Sequence, residues 1–157
     1  MTQFVEMTEE DLRGLKAFAA PIWRECYEGV VEASHTDMLI DKYFDYENIR
    51  KFQEGGMIYE NVLVNGDRIG FIAYQINSDH LYLDKLYFLS KYRGKHLSHY
   101  VFEHLSDIGG LPVRLNVNRG NERAVRAYKA NGFRVIFEEN IPQKGGFVNT
   151  DYVMERL

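Results

Sequence analysis

Apolar residues alternate along several segments of the chain, with the two-residue period that predicts β-strands. In segment 80–89 both alternating faces are apolar or aromatic, which is typical of a strand covered on both sides of a sheet. Asn65, Gly66 and Asp67 indicate a hairpin between two such segments, because the central residues of this turn must tolerate a positive φ. The predicted strands are 4–7, 57–64, 68–76, 80–89, 113–117, 133–139 and 147–156.

Apolar residues at helical spacing predict the elements between these strands. Thr8 and Asp11 have the spacing of a capping box at the first helix, and Pro21 is expected to kink or split that helix because it has no N–H group. Gly132 follows the last helix at a position that favours a left-handed residue. The predicted helices are 8–27, 36–44, 47–54, 97–108 and 121–131.

The order of these elements predicts an α+β fold in one domain over residues 1–157. Its sheet of about seven strands should be mixed, mostly antiparallel and flanked by helices, because three consecutive strands form a predicted meander. A helix follows the fourth strand and crosses over to the fifth, which predicts one parallel pair at the centre of the sheet.

Composition and charge narrow the functional classes. The chain has 157 residues and a net charge of −4, so it lacks the excess of positive charge that is typical of proteins that bind nucleic acid or an anionic membrane. Cys26 is the single cysteine, which excludes an internal disulfide and fits a reducing compartment. The N-terminal segment contains no apolar stretch of signal-peptide or membrane-spanning length. We therefore expect a soluble cytoplasmic protein whose partners include neither nucleic acid nor a membrane; a homodimer stays open.

Two segments contain candidate chemistry. A basic turn with Arg93, Gly94 and Lys95 follows the central strand and leads into a helix, and a helix N-terminus suits a phosphate. Such units are common, so this signal is weak by itself. Further along, Asn118 and Asn121 precede a helix that contains Ala124 and Tyr128 one turn apart. Taken singly, the asparagines would cap, the alanine would pack and the tyrosine would fill core.

Taken together, these residues resemble a known family. The pattern is Asn118-x-x-Asn121-x-x-Ala124-x-x-x-Tyr128, followed by Asn131-Gly132-Phe133, and it comes one strand after the turn YRGK. It is similar to the GNAT superfamily of acyl-CoA-dependent N-acyltransferases. The resemblance covers the whole chain, and the segments IWRECYEG and GGFVNTDYVMERL also look like one branch of that superfamily.

The resemblance implies a binding site for acetyl-CoA as co-substrate. Backbone groups of Leu86, Tyr87 and Phe88 should pair with the pantetheine arm as an added strand would. Asn118 and Asn121 should hydrogen-bond the pantetheine, and Ala124 should leave room for it. The pyrophosphate should be wrapped by a turn composed of Arg93, Gly94, Lys95, His96, Leu97 and Ser98.

The resemblance also implies an activity, the transfer of an acetyl group to a primary amine of a small molecule or protein by direct attack in a ternary complex. Tyr128 would be the catalytic proton donor to the departing thiolate, and Trp23 and Tyr27 would contact the acceptor. The alternative is a non-catalytic acyl-CoA-binding sensor or interaction module. No metal is expected, because the histidines lack metal-ligand spacing.

The turn departs from the family pattern Arg/Gln-x-x-Gly-x-Gly/Ala, because His96 and Ser98 replace its two small residues. Histidine can adopt positive φ at some cost, so we expect an altered turn that still binds CoA. The general base is not readable, because His80, Glu25, Glu28 and His35 could also reach a cleft. Asp84 and Lys85 stand in mid-strand, where a cross-strand ion pair or a solvated edge is favoured over catalysis, and water chains can also move the proton.

Overall fold

The computed structural model describes residues 1–142, 144–146 and 148–157. Phe147, the predicted first residue of the last strand, lies outside the described residues. The helices are α1 (Glu9–Arg13), α2 (Leu15–Tyr27), α3 (Ala33–Phe44), α4 (Tyr46–Glu54), α5 (Ser98–Gly109) and α6 (Glu122–Ala130). The strands are β1 (Thr2–Glu6), β2 (Ile58–Val64), β3 (Asp67–Ile76), β4 (Leu81–Phe88), β5 (Val113–Asn118), β6 (Arg134–Pro142) and β7 (Val148–Arg156).

The strands form a seven-stranded sheet in the order β1-β2-β3-β4-β5-β7-β6. β4 and β5 are parallel, whereas the pairs β1–β2, β2–β3, β5–β7 and β6–β7 are antiparallel. This confirms the predicted α+β class, the mixed sheet and the parallel pair made by a crossover helix. The hairpin prediction is also confirmed, because Asn65 and Gly66 have φ values of 51° and 85°.

The chain divides into two compact units. The first comprises Met1–Gln75 and Lys85–Leu97, and the second comprises Ile76–Asp84 and Ser98–Leu157. The prediction of one domain over residues 1–157 stays a prediction. None of the helices in the described part of the chain is long and apolar enough to cross a membrane.

In the first unit, the apolar stripes of α1 to α4 pack with β2 and β3. Thr8 and Asp11 form the predicted capping box of α1. Pro21 does not split the helix, so that part of the prediction was wrong: α2 continues through it, and the break falls at Gly14 instead. Pro21 and Ala17 are exposed, so water can bond the Ala17 carbonyl that proline leaves without its helical donor. The largest fully buried side chains of this core include Leu15, Ile40, Phe44, Ile49, Tyr59 and Phe71.

In the second unit, α5 and α6 bury their apolar residues with β5 and β7. Phe102 of α5 packs edge-on against Phe133, with ring centroids 4.8 Å apart. Gly132, with φ 89°, adopts the left-handed conformation expected just after α6. This core fixes the end of β5 and the start of α6, where the second motif lies. Its buried residues include Leu81, Val101, Leu105, Val113, Leu115 and Met154.

Candidate functional site

The end of β4 lies very close to β3. An added Cβ at Gly70 would overlap the Tyr87 carbonyl oxygen and would stand 3.0 Å from the Phe88 Cα atom. Leu89 N donates to Ile69 O at 2.8 Å just beyond this contact. Only glycine fits at position 70 without moving backbone, so Gly70 sets the path of the β4 residues that were predicted to pair with pantetheine.

The basic turn is attached to the end of β4 by its arginine. Arg93 Nε donates to the Phe88 carbonyl oxygen at 3.1 Å, and Arg93 Nη2 lies 3.6 Å from Glu25 Oε2 of α2. Gly94 and His96 have φ values of 72° and 59°. Histidine therefore adopts the left-handed conformation that this residue type can take at some cost. Turns of this kind can direct successive N–H groups at an anion.

In the second unit, the two asparagines of the motif support the turn from β5 into α6. Asn118 Oδ1 accepts a hydrogen bond from Gly120 N at 2.8 Å. Asn121 is the N-cap of α6, and its Oδ1 accepts from Ala124 N at 3.2 Å. The capping interpretation is therefore right for Asn121, whereas Asn118 bonds the turn before the helix. In both residues the side-chain amide N–H groups are the donors that would be offered to a ligand.

Tyr128 lies one helical turn beyond Ala124, and both residues are half-buried. The Tyr128 ring packs against Phe133 at 5.6 Å and against Phe102 at 6.0 Å between centroids. Two aromatic rings thus restrict the orientation of the phenol while the residue stays partly accessible. A phenol held in this way is suited to deliver a proton to one place.

Trp23 and Tyr27 belong to an aromatic cluster in the first unit. The Trp23 ring lies 5.3 Å from Tyr27, 5.0 Å from Phe44 and 5.2 Å from Tyr87 between centroids. The hydroxyl groups of Tyr27 and Tyr87 form a hydrogen bond, with 2.8 Å between the two oxygen atoms. Trp23 is only 4% exposed, whereas Tyr27 is half-buried. Tyr27 is therefore the more accessible of the two residues predicted to contact the acceptor.

Lys85 is not on a solvated edge, so that half of the expectation was wrong, and the cross-strand ion pair stays a prediction. The residue is 3% exposed on an inner strand, and its Nζ atom lies 4.6 Å from the Tyr43 ring centroid and 5.7 Å from those of Phe44 and Phe52. Ring faces stabilise the ammonium group by cation–π attraction. The available signal was the position of Lys85 in the two-residue period. Lys85 shares one face of β4 with Leu81, Leu83 and Tyr87, whereas Asp84 lies on the other face.

A chain of side-chain hydrogen bonds crosses three strands of the second unit, and the sequence did not predict it. Tyr82 OH donates to Asn116 Oδ1 at 2.8 Å, and Asn116 Nδ2 donates to Asp151 Oδ2 at 3.2 Å. Burial is the largest cause that raises the pKa of the Asp151 carboxyl, and the charge of Glu139 adds to it. The hydrogen bond from Asn116 and the charge of Arg119 act in the opposite direction.

The acetyltransferase (GNAT) family model matches residues 17–133 of the chain. The chain belongs to the GNAT acetyltransferase family. A comparison with curated proteins gives no match.

Solved structures with this GNAT fold cover nearly the whole chain. The PaiA N-acetyltransferase of Thermoplasma acidophilum in complex with coenzyme A is 24% identical, with a TM-score of 0.72, over 99% of this chain and 98% of that one. The ribosomal-protein-S18-alanine N-acetyltransferase of Escherichia coli is 17% identical, with a TM-score of 0.67, over 99% and 93%. A spermidine N-acetyltransferase SpeG chimera from Vibrio cholerae and hSSAT is 18% identical, with a TM-score of 0.66, over 99% and 94%. At these identities the similarity shows the fold.

The predicted site residues of this GNAT chain fall into two groups. Within the first unit, the structure brings together the end of β4, the turn from Arg93 to Leu97 and the aromatic cluster. Within the second unit, it brings together Asn118, Asn121, Ala124 and Tyr128, and α5 begins at Ser98. Their roles stay predictions. In the described ranges, no three His, Cys, Asp or Glu residues are placed to share a metal ion.

His96→Gly tests the altered turn. A non-glycine residue in the left-handed region costs about 1 kcal/mol, and glycine removes this strain, so CoA affinity should stay unchanged or rise. The measurement is the dissociation constant of CoA by calorimetry. Gly94→Ala is the matched control, because it introduces strain in the same turn and should weaken binding. A large loss of affinity in His96→Gly would instead identify the imidazole as a CoA ligand.

Proposed function

We propose that this chain is an N-acetyltransferase that transfers the acetyl group of acetyl-CoA to a primary amine of a small molecule or protein. The observation that supports it most is the placement of Tyr128 on the helix capped by Asn121, one turn after Ala124, in a chain of the GNAT family. That arrangement supplies a proton donor of restricted orientation beside the residues that the family pattern assigns to pantetheine.

Acetyl-CoA binding is assigned as the family pattern has it. The backbone of Leu86, Tyr87 and Phe88 would pair with the pantetheine arm, and Asn118 and Asn121 would donate their amide N–H groups to it. Backbone N–H groups of the turn from Arg93 to Ser98 would bind the pyrophosphate. The complex of the PaiA enzyme with coenzyme A supports this cofactor class. The proposal treats residues 1–157 as one catalytic domain.

The reaction requires three things of the protein. The amine must lose a proton, because a free alkyl amine has a pKa of about 10 and only its neutral form attacks a carbonyl carbon. As the C–N bond forms, the carbonyl oxygen becomes an oxyanion that a backbone N–H group of β4 can stabilise. As the C–S bond breaks, Tyr128 donates its proton to the thiolate sulfur. Holding both substrates in one site lowers the activation barrier further.

The acceptor is proposed by class. Tyr27 and the rings around it would contact the acceptor, with Trp23 supporting them from the buried side. The fold hosts a ribosomal-protein alanine N-acetyltransferase and a spermidine N-acetyltransferase chimera, so both protein amino groups and small amines belong in a screen. A homodimer and a cytoplasmic location stay predictions.

The alternative, an acyl-CoA sensor without turnover, depended on the changes at His96 and Ser98. The left-handed conformation of His96 maintains a glycine-like turn, and Ser98 begins α5 with a small side chain, so neither change removes a backbone donor. Release of free thiol from acetyl-CoA in the presence of an amine would exclude the sensor.

Thermal unfolding with and without acetyl-CoA tests the cofactor. A ligand at 100 times its dissociation constant stabilises the folded state by about 2.7 kcal/mol, which should raise Tm by roughly 5–10 °C for a chain of this length. Coenzyme A should give a comparable shift, and adenosine at the same concentration is the negative control. An unchanged Tm at millimolar acetyl-CoA would contradict the proposed function.

A further inference from the structure

We propose that Asp151 accepts the proton of the acceptor amine, and that Asn116 and Tyr82 position its carboxylate. The inference rests on the proposed acetyl transfer and names a residue that the family pattern left unassigned. The contributing residues all lie in the second unit.

Asp151 stands beside the predicted pantetheine site. It is the direct register partner of Asn118 in the antiparallel β5–β7 pair. Directly opposed residues place their side chains on the same face with Cβ atoms about 5 Å apart. The pairing continues one step further, because Arg119 N donates to Thr150 O at 2.9 Å. A thioester held by Asn118 would therefore lie near the carboxylate.

The carboxylate is positioned by its neighbours rather than mobile on the surface. Asn116 Nδ2 holds Oδ2, and Asn116 Oδ1 is itself fixed by the Tyr82 hydroxyl. Asp151 is half-buried and therefore partly accessible, and in the proposal the amine approaches its other oxygen, Oδ1. In this arrangement Asn116 and Tyr82 are positioning residues, and Asp151 is the group that contacts the amine.

The surroundings of Asp151, burial first, favour a proton acceptor. Burial and Glu139, its register partner on β6, raise the pKa of the Asp151 carboxyl, which makes it a stronger base than an exposed aspartate. The charge of Arg119 lowers the pKa of Asp151, but this guanidinium group also has other partners. Its Nη2 donates to Asn140 Oδ1 at 2.8 Å, and its Nη1 lies 3.6 Å from Glu138 Oε2. Tyr82, on β4, is the remaining titratable group of the chain of hydrogen bonds.

The proton balance is simple. As the amine nitrogen forms its bond to the carbonyl carbon it becomes acidic, and its proton passes to Asp151 Oδ1. The C–S bond then breaks, the sulfur takes the proton of Tyr128, and solvent exchange restores both groups. The acetylated amine and coenzyme A are the products.

Asp151→Asn tests the proposal, because asparagine keeps the shape and an oxygen for Asn116 but cannot take the proton. Acetyl transfer is measured as thiol release with acetyl-CoA and a panel of spermidine, lysine and an alanine-terminated peptide. We expect kcat/KM to fall about 100-fold, its acid limb to disappear, and the acetyl-CoA shift in Tm to persist. Asp151→Glu should restore part of the rate.

Glu139→Gln is the matched variant. Removing its negative charge lowers the pKa of Asp151, so the acid limb of kcat/KM should move to lower pH while activity is kept. A wild-type rate and an unchanged pH profile in Asp151→Asn would overturn the inference alone. Loss of the acetyl-CoA shift in that variant would also overturn it, by showing a structural role. No transfer by the wild-type chain to any amine of the panel would contradict the proposed function and the inference with it.

Discussion

Tyr128→Phe is expected to lower turnover about 100-fold and to leave acetyl-CoA binding intact. The phenol O–H would donate the proton that the departing thiolate needs, and phenylalanine lacks that proton. The ring contacts with Phe102 and Phe133 survive the change, so α6 and its cap should stay folded. The measurement is kcat by thiol release, with the acetyl-CoA shift in Tm as the binding readout.

Tyr100→Phe is the matched control for this prediction. Tyr100 lies in α5 of the same unit and is 50% exposed, so removal of its hydroxyl should change neither turnover nor the Tm shift. Wild-type turnover in Tyr128→Phe would assign the thiolate proton to another donor. A lost Tm shift would show that Tyr128 contributes to binding instead.

Gly70→Ala should destabilise the protein by about 3 kcal/mol, because the new methyl group would overlap the β4 backbone at Tyr87 and Phe88. For a chain of this length the expected fall in Tm is roughly 6–12 °C. The clash is with main-chain atoms, which cannot rotate away as a side chain can. The displaced segment is the one proposed to pair with pantetheine, so affinity for acetyl-CoA should fall as well.

Gly14→Ala separates this steric effect from the general effect of adding a methyl group. An added Cβ at Gly14 would meet nothing closer than the Glu10 carbonyl oxygen at 3.6 Å, an ordinary contact. Its Tm should stay near that of the wild type, and so should its acetyl-CoA shift. Equal Tm values for Gly70→Ala and the wild type would contradict the close approach of β3 and β4.

Much of the candidate site was predictable from short segments of sequence. Asn121 caps α6 as the sequence predicted, and His96 adopts a positive φ where the family pattern has glycine. Pro21 was judged from its missing N–H alone, although its exposure decides whether water can replace that bond. Lys85 was judged from its charge, although the rings of α3 and α4 decide its surroundings.

The sequence by itself determined the order of helices and strands, the central strand β4 and the motif from Asn118 to Tyr128. These features follow from periodicity, capping and backbone conformation, which depend on residues a few positions apart. Only the tertiary structure placed β7 between β5 and β6, and with it Asp151 opposite Asn118. Strand order depends on which distant segments bury their apolar faces together, and no local pattern records that choice.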